Sequence, residues 1–336
     1  MPSSTLITGG NGQLAREIRK HDPAMYAPDK EEMDFSLPDA IETFCAPLNL
    51  RLVIHAGAVT NKFNEEVDEE YIRTNIVGTA NVALWALRHD VRLVYISTDY
   101  VYPGETGDYS EESPLFPINR YALSKLGGEC SVRLVQNSLV VRTSFYRDLN
   151  FAKGCVDQFT SRMPIGEVAH AIYRLALRDE VRGVINVGGR ARRSLQDIIQ
   201  SEFNPQVVPI LRKDIAISYH IPYDSTLNTT RFSNLMTDPA KGSKKQSSCR
   251  ICGSSSLFGY LDLGRTPLAN SYVSDKDLPV SEFREELAIQ VCRSCGLSQL
   301  TRVVHPDLMF KKYLYVSSTT DTFREHCGNS QRRRHG

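Results

Sequence analysis

Short apolar runs closed by small or polar residues alternate with stretches whose apolar positions recur every three or four residues. The strand-like runs fall at residues 4–8, 24–27, 52–58, 92–96, 138–142 and 184–187. Between them, helical periodicity covers 13–20, 37–48, 66–89, the segment from residue 118 onward, and 167–177. Strands alternating with helices in this way predict an α/β fold, a Rossmann-type doubly wound parallel sheet. Ligands of such sheets bind beyond the carboxyl ends of the strands. After residue 142 the pattern loosens. A helix-like stretch at 151–159 and the capping-box start Ser194-Leu195-Gln196-Asp197 predict a small lobe closing over a substrate.

The strand ends carry the chemistry. The first strand runs into Gly9-Gly10-Asn11-Gly12-Gln13-Leu14-Ala15 and then a helix, the order in which glycines let the backbone approach a pyrophosphate. Asp29, about twenty residues past the first glycine, suits the hydroxyls of an adenosine ribose. Lys30 and Arg16 favour a 2′-phosphate instead, so the sequence leaves NAD and NADP both open. The third run ends in the small residues Ala56-Gly57-Ala58, which admit a flat ring or a phosphate. Further along, Tyr121 and Lys125 stand four apart on a helix and so share a face. An ammonium near a phenol favours the phenolate, so this pair is expected to lower the tyrosine pKa and make it a proton donor to a carbonyl oxygen.

Composition narrows the partners. Over 336 residues, 40 Lys and Arg balance 39 Asp and Glu to a net charge of +1, which gives no electrostatic case for nucleic acid or a membrane. No apolar run approaches the length of a membrane span, and the first residues lead directly into a strand pattern, so a cytoplasmic protein is expected. Two domains are expected from the length.

Four of the eight cysteines form two C-x-x-C pairs, Cys249/Cys252 and Cys292/Cys295, each followed by glycine. Four thiolates at this spacing suit a tetrahedral Zn²⁺ with its coordination full, a structural metal rather than a catalytic one. The expected organisation is therefore 1–240 for the nucleotide-binding domain, 241–248 for a Lys/Ser/Gly linker, 249–327 for a C-terminal zinc-binding module, and 328–336 for a disordered tail.

Taken together, Thr8-Gly9-x-x-Gly12-x-x-Ala15, Asp34-Phe35-Ser36, Ala56-Gly57-Ala58, Asn75-x-x-Gly78-Thr79, Ser97-Thr98-Asp99-Tyr100-Val101 and Tyr121-x-x-x-Lys125 resemble the extended short-chain dehydrogenase/reductases. Among these they are most similar to dTDP-4-dehydrorhamnose reductases. The resemblance implies NADH- or NADPH-dependent reduction of a 4-keto-6-deoxy sugar nucleotide. It makes Tyr121 the proton donor, Lys125 the holder of the nicotinamide ribose, and Thr98 the partner of the reacting oxygen. Cofactor contacts are implied for Gly9, Gly12, Gln13, Leu14, Asp34, Phe35, Ala56, Gly57 and Ala58, and substrate contacts for Thr98, Asp99 and Phe145. Phe145 stands where the family often has Trp, and Tyr100 where its dehydratase members have Glu, which speaks against a 4,6-dehydratase. A sugar-nucleotide epimerase and a non-catalytic regulatory subunit of methionine adenosyltransferase type are the alternatives.

Leu261-Asp262-Leu263-Gly264-x-x-Pro267-Leu268-Ala269-Asn270 and Tyr313-Leu314-Tyr315-Val316-Ser317-Ser318, with the two knuckles, resemble the N-terminal zinc-binding region of sugar C-methyltransferases. No second glycine-rich strand-turn-helix follows, so no methyltransferase activity is expected of this sequence. The module is instead expected to help bind the sugar nucleotide or to dock a methyltransferase partner. His305, in a Val-His-Pro context, is read as structural.

Overall fold

Five strands, β1 (Thr5–Thr8), β2 (Leu52–His55), β3 (Arg92–Thr98), β4 (Ser138–Thr143) and β5 (Gly183–Val187), pair in parallel in that order. Every residue of β1 to β4 is buried, as continuous apolar runs covered on both faces require. The computed structural model describes residues 3–60, 67–215, 220–236, 243–268 and 284–304. Tyr313 to Ser318, His305, Ala269, Asn270 and the expected tail lie outside them. Two compact units divide the chain, Met1–Ser233 and Asn234–Gly336.

In the first unit, α1 (Gln13–Arg19) follows the glycine turn after β1, and α2 (Pro38–Cys45) precedes β2. A long helical stretch then runs through α3 (Asp68–Glu70), a π-helical segment Tyr71–Gly78, and α4 (Thr79–Arg88). Next come α5 (Arg120–Val132), α6 (Ile165–Ala176) and α7 (Leu195–Glu202). α1 packs on α6, while α2, α4, the π segment and α5 pack among themselves, so the sheet carries two helical layers. Asn119 caps α5 by accepting from the Ala122 N–H at 2.8 Å. Ser194 and Asp197 close the expected capping box at α7 in both directions, at 3.0 and 3.1 Å.

Two expected elements take other forms. The run 24–27 makes one parallel bridge, Leu6 to Tyr26, in place of a strand. Pro23 and Pro28 flank it without N–H donors, so pairing cannot extend. The stretch read as helix at 151–159 instead supplies two short strands, Lys153–Cys155 and Phe159–Thr160. The first pairs with Val208–Ile210 and the second with Arg193–Ser194, partners some fifty and thirty residues away that no local period reveals.

The second unit contains β6 (Leu257–Pro267), β7 (Arg284–Cys292) and β8 (Ser298–Leu300) in one antiparallel sheet. Ser243–Lys245, within the stretch read as linker, pairs antiparallel with Arg302–Val304. No helix among the described residues is long and apolar enough to cross a membrane.

Candidate functional site

A cavity of about 1060 Å³ opens beyond the carboxyl ends of the central strands. The glycine turn forms one wall, with Gly9, Gly12, Gln13 and Leu14 on its surface. Gly9 sits at φ +67°, and a Cβ there would meet Gly57 Cα at 2.6 Å, so only glycine lets these two segments touch. Ala56, Gly57 and Ala58 line the adjoining wall, and Asp29 lies at the turn end with Lys30. Asp29 accepts from the backbone N–H groups of Glu31 and Glu32 and from Asn11 Nδ2.

Asp34 and Phe35 do not line this cavity. Asp34 accepts from the Ser36 N–H and hydroxyl and serves its own turn. Phe35 packs beneath Ala56-Gly57-Ala58, where a Cβ on Gly57 would come within 2.6 Å of its ring and one on Gly78 within 2.7 Å. Both glycines thus make room for a ring that buttresses the wall from behind. Asn75 fastens the same segment to α5. Its amide bonds the Val59 N–H and C=O at 2.8 and 2.9 Å and the Ser124 hydroxyl at 2.8 Å. The π-helical turn that carries Asn75 is a distortion frequent at functional sites.

Opposite the glycine turn, α5 brings Tyr121 and Lys125 to the cavity, and the end of β3 brings Thr98 and Asp99. Lys125 Nζ lies 4.1 Å from the centroid of the Tyr95 ring, a cation–π contact. Burial pushes the Lys125 ammonium down to about 7. Tyr121 shifts up instead of down, through burial first and then the neighbouring Asp99, Tyr71 and Tyr100. The expected lowering by Lys125 is absent because that cation is itself desolvated and held over Tyr95. Tyr121 therefore keeps its proton throughout the neutral range.

One residue at this end, Arg162, is not signalled by any motif. Arg162 lines the cavity, donating to the Tyr100 hydroxyl at 2.8 Å and the Ser144 hydroxyl at 3.0 Å. Phe145 lies beside Ser144, and Thr143 is in the wall between β4 and the cavity. Beneath the floor, His55 joins Thr8 Oγ1 at 2.7 Å to Thr79 Oγ1 at 3.0 Å, and burial pushes its imidazole down to about 3, so it is neutral. Thr8 Oγ1 also accepts the Gly57 N–H at 3.0 Å, tying the floor to the wall. A buried ion pair joins Arg142 on β4 to Glu129 on α5, with Ser97 donating to Glu129 at 3.1 Å and Arg142 to the Tyr102 hydroxyl at 2.7 Å.

In the second unit the sulfurs of Cys249, Cys252, Cys292 and Cys295 all lie within 4.8 Å of one another. Sγ of Cys249 is 3.5 Å from that of Cys295, and Cys252 is 3.6 Å from Cys292. Sulfurs about 2.3 Å from a tetrahedral zinc are separated by about 3.8 Å, so the donor set fits. The two knuckles are built alike: Gly253 and Gly296 adopt φ +73° and +75° and donate back to the carbonyls of Cys249 and Cys292. The Cys252 and Ile251 N–H groups hold the Cys249 thiol below its ordinary value, favouring the thiolate a metal needs.

Residues 3–170 match the family of RmlD substrate binding domains, and residues 249–310 match the zinc binding domain Methyltransf_13. A dTDP-4-dehydrorhamnose reductase of Aggregatibacter actinomycetemcomitans is 31% identical over 179 residues, which cover 50% of this chain and 60% of the relative. The spore coat polysaccharide biosynthesis protein SpsK of Bacillus subtilis is 30% identical over 43% of this chain and 53% of its own. The C-methyltransferase NovU of Streptomyces niveus is 36% identical over 78 residues, 23% of this chain and 19% of NovU. The chain thus spans less than two thirds of each of these curated relatives. Among solved structures, the dTDP-4-dehydrorhamnose reductase of Bacillus anthracis in complex with NADP superposes with a TM-score of 0.63 at 25% identity, over 70% of this chain and 93% of that one.

Proposed function

From the premise that the chain belongs to the family of RmlD substrate binding domains, we propose that it reduces the ketone of a nucleotide-linked 4-keto-6-deoxy sugar with NADH or NADPH. One observation carries the reading: Tyr121, Lys125 and Thr98 line the same cavity as the glycine turn. The volume of about 1060 Å³ suits a dinucleotide beside a second ligand. The glycine turn fits a pyrophosphate, because Gly9 and Gly57 approach so closely that neither a Cβ on Gly9 nor a bulkier residue fits between them, which leaves backbone at that point for a phosphate to approach.

A reduced nicotinamide bound there supplies the hydride. Gly9, Gly12, Gln13 and Leu14 hold the diphosphate end, with Ala56 to Ala58 against the adjoining wall. Lys125 hydrogen-bonds the nicotinamide ribose, and its charge returns in part as ligand hydroxyls replace lost water. Tyr121, protonated at neutral pH, gives its phenolic proton to the ketone oxygen as the alcohol forms. Thr98 fixes that oxygen, and Asp99 and Phe145 bound the sugar. Arg162 joins them as a sugar-side contact. The second unit, which holds zinc structurally, docks a methyltransferase acting on the same sugar nucleotide.

The test is absorbance of the reduced nicotinamide on mixing the protein with NADH or NADPH and dTDP-4-dehydrorhamnose. Turnover is expected, and Tyr121→Phe is expected to slow it by about 10²- to 10⁴-fold while cofactor binding persists. Cofactor bound without turnover would overturn the reductase reading. Deleting residues 247–336 is expected to abolish capture of the methyltransferase, and undiminished capture would remove the docking role.

A further inference from the structure

Thr98 ends β3 with its hydroxyl between two neighbours. Its Oγ1 accepts the Tyr100 N–H at 3.2 Å and donates to Asp99 Oδ1 at 3.1 Å. A hydroxyl has one hydrogen and two lone pairs, while an ionised carboxylate only accepts. Beside ionised Asp99, then, the Thr98 hydrogen is committed to Oδ1 and Tyr100 takes one lone pair. What remains for the cavity is a lone pair, and a ketone oxygen offers only lone pairs in return. Thr98 in that state repels the oxygen it is meant to hold. With a proton on Asp99 Oδ1 the bond reverses, the carboxyl donates to Thr98, and the Thr98 hydrogen is free for the ligand.

We propose that Asp99 is a positioning residue whose protonation sets the direction of the Thr98 hydroxyl, so that the site engages a ketone when Asp99 is protonated and an alcohol when it is ionised. The inference rests on the reductase reading above. Asp99 breaks no substrate bond and exchanges its proton with solvent, and the proton that reaches the ketone still comes from Tyr121.

The surroundings of Asp99 permit both states. It is 2% exposed, and burial raises its pKa. Against this act Arg162 and the hydroxyls of Ser225, Thr98 and Ser144, with Ser225 donating to Oδ2 at 2.9 Å. From α5, Tyr121 faces the same carboxyl and is itself shifted up, by burial first and then by Asp99. Lys125, on the same helix, is also displaced toward neutrality.

Asp99→Asn mimics the protonated acid, since its amide nitrogen donates to Thr98 while its oxygen accepts from Ser225. In the wild type, kcat/KM for reduction of dTDP-4-dehydrorhamnose with NADPH is expected to fall about tenfold per pH unit above the titration of Asp99. Asp99→Asn is expected to lose that limb while keeping any due to Lys125. Ser225→Ala, which removes one donor to the carboxylate, is expected to move the limb to higher pH. Infrared difference spectra of wild type minus Asp99→Asn, without ligands, are expected to show a protonated-carboxyl stretch that fades over the same pH range. An unchanged limb in Asp99→Asn, no shift in Ser225→Ala, or absence of that stretch at every pH where the wild type is active would each overturn the proposal. If the wild type oxidises neither cofactor at any pH, the reductase reading falls and this proposal falls with it. A wild type that turns over with a limb Asp99→Asn leaves in place sinks this proposal alone.

Discussion

Burial sets the acid–base behaviour of Lys125. Its ammonium is pushed down to about 7 in the folded chain, from an ordinary value of 10.5. Between those values the unfolded chain binds a proton that the folded chain has released, so stability rises with pH across that window. Below the lower value both states are charged, and the full cost of burying the charge remains. Lys125→Met is therefore expected to raise the urea midpoint most at and below pH 7 and to flatten its rise between pH 7 and 10, with loss of turnover. Thr143 gives a second prediction on the same footing. Its hydroxyl is buried with no hydrogen-bond partner among the described residues. Replacing it with nearly isosteric Val is expected to stabilise the ligand-free protein by about 1 kcal/mol, read as a higher urea midpoint. The glycine turn and the Tyr121–Lys125 spacing were legible in the sequence because each is a local pattern. Arg162 was not, since a lone Arg carries no period and only its neighbours in space give it meaning.

At the scale of elements, the buried pair between Glu129 and Arg142 joins the helix that bears Tyr121 to β4. Arg142→Met would leave the Glu129 carboxylate buried without its ion-pair partner, with the Ser97 hydroxyl as its remaining donor among the described residues. A loss of about 3–5 kcal/mol is expected in thermal or urea denaturation, where an exposed ion pair would lose far less. The pair lies thirteen residues apart in sequence and sits on a helix and a strand, so neither period indicates it. Parallel strands were readable for the opposite reason: burial on both faces forces continuous apolar runs, and β1 to β4 each show one. The stretch 151–159 misled because apolar positions spaced like a helix can equally occupy short strands when distant partners supply the hydrogen bonds.

For the whole molecule, the two units rest on different sources of stability. The first has a large apolar core about the parallel sheet. Among the described residues of the second, β6 runs almost wholly exposed and few apolar side chains are buried, and the four cysteines gathered on a metal add the cross-links that so small an apolar cluster lacks. Removing zinc with a chelator, or replacing Cys292 with Ser, is expected to open the second unit to proteolysis around the knuckles. NADPH binding by the first unit is expected to persist, followed by fluorescence of the bound nicotinamide. Loss of cofactor binding on chelation would contradict this separation.

The sequence by itself determined the α/β alternation, the glycine turn, the tyrosine–lysine pair and the paired cysteine knuckles, because each is written in spacing along the chain. Tertiary structure alone decided which of these side chains share a cavity, and that Phe35 supports its wall from behind rather than facing it. It also decided the direction in which Tyr121 and Lys125 titrate and the company that Asp99 keeps. Charge state depends on burial and on neighbours brought from far along the chain, and neither is a property of a residue's place in the sequence.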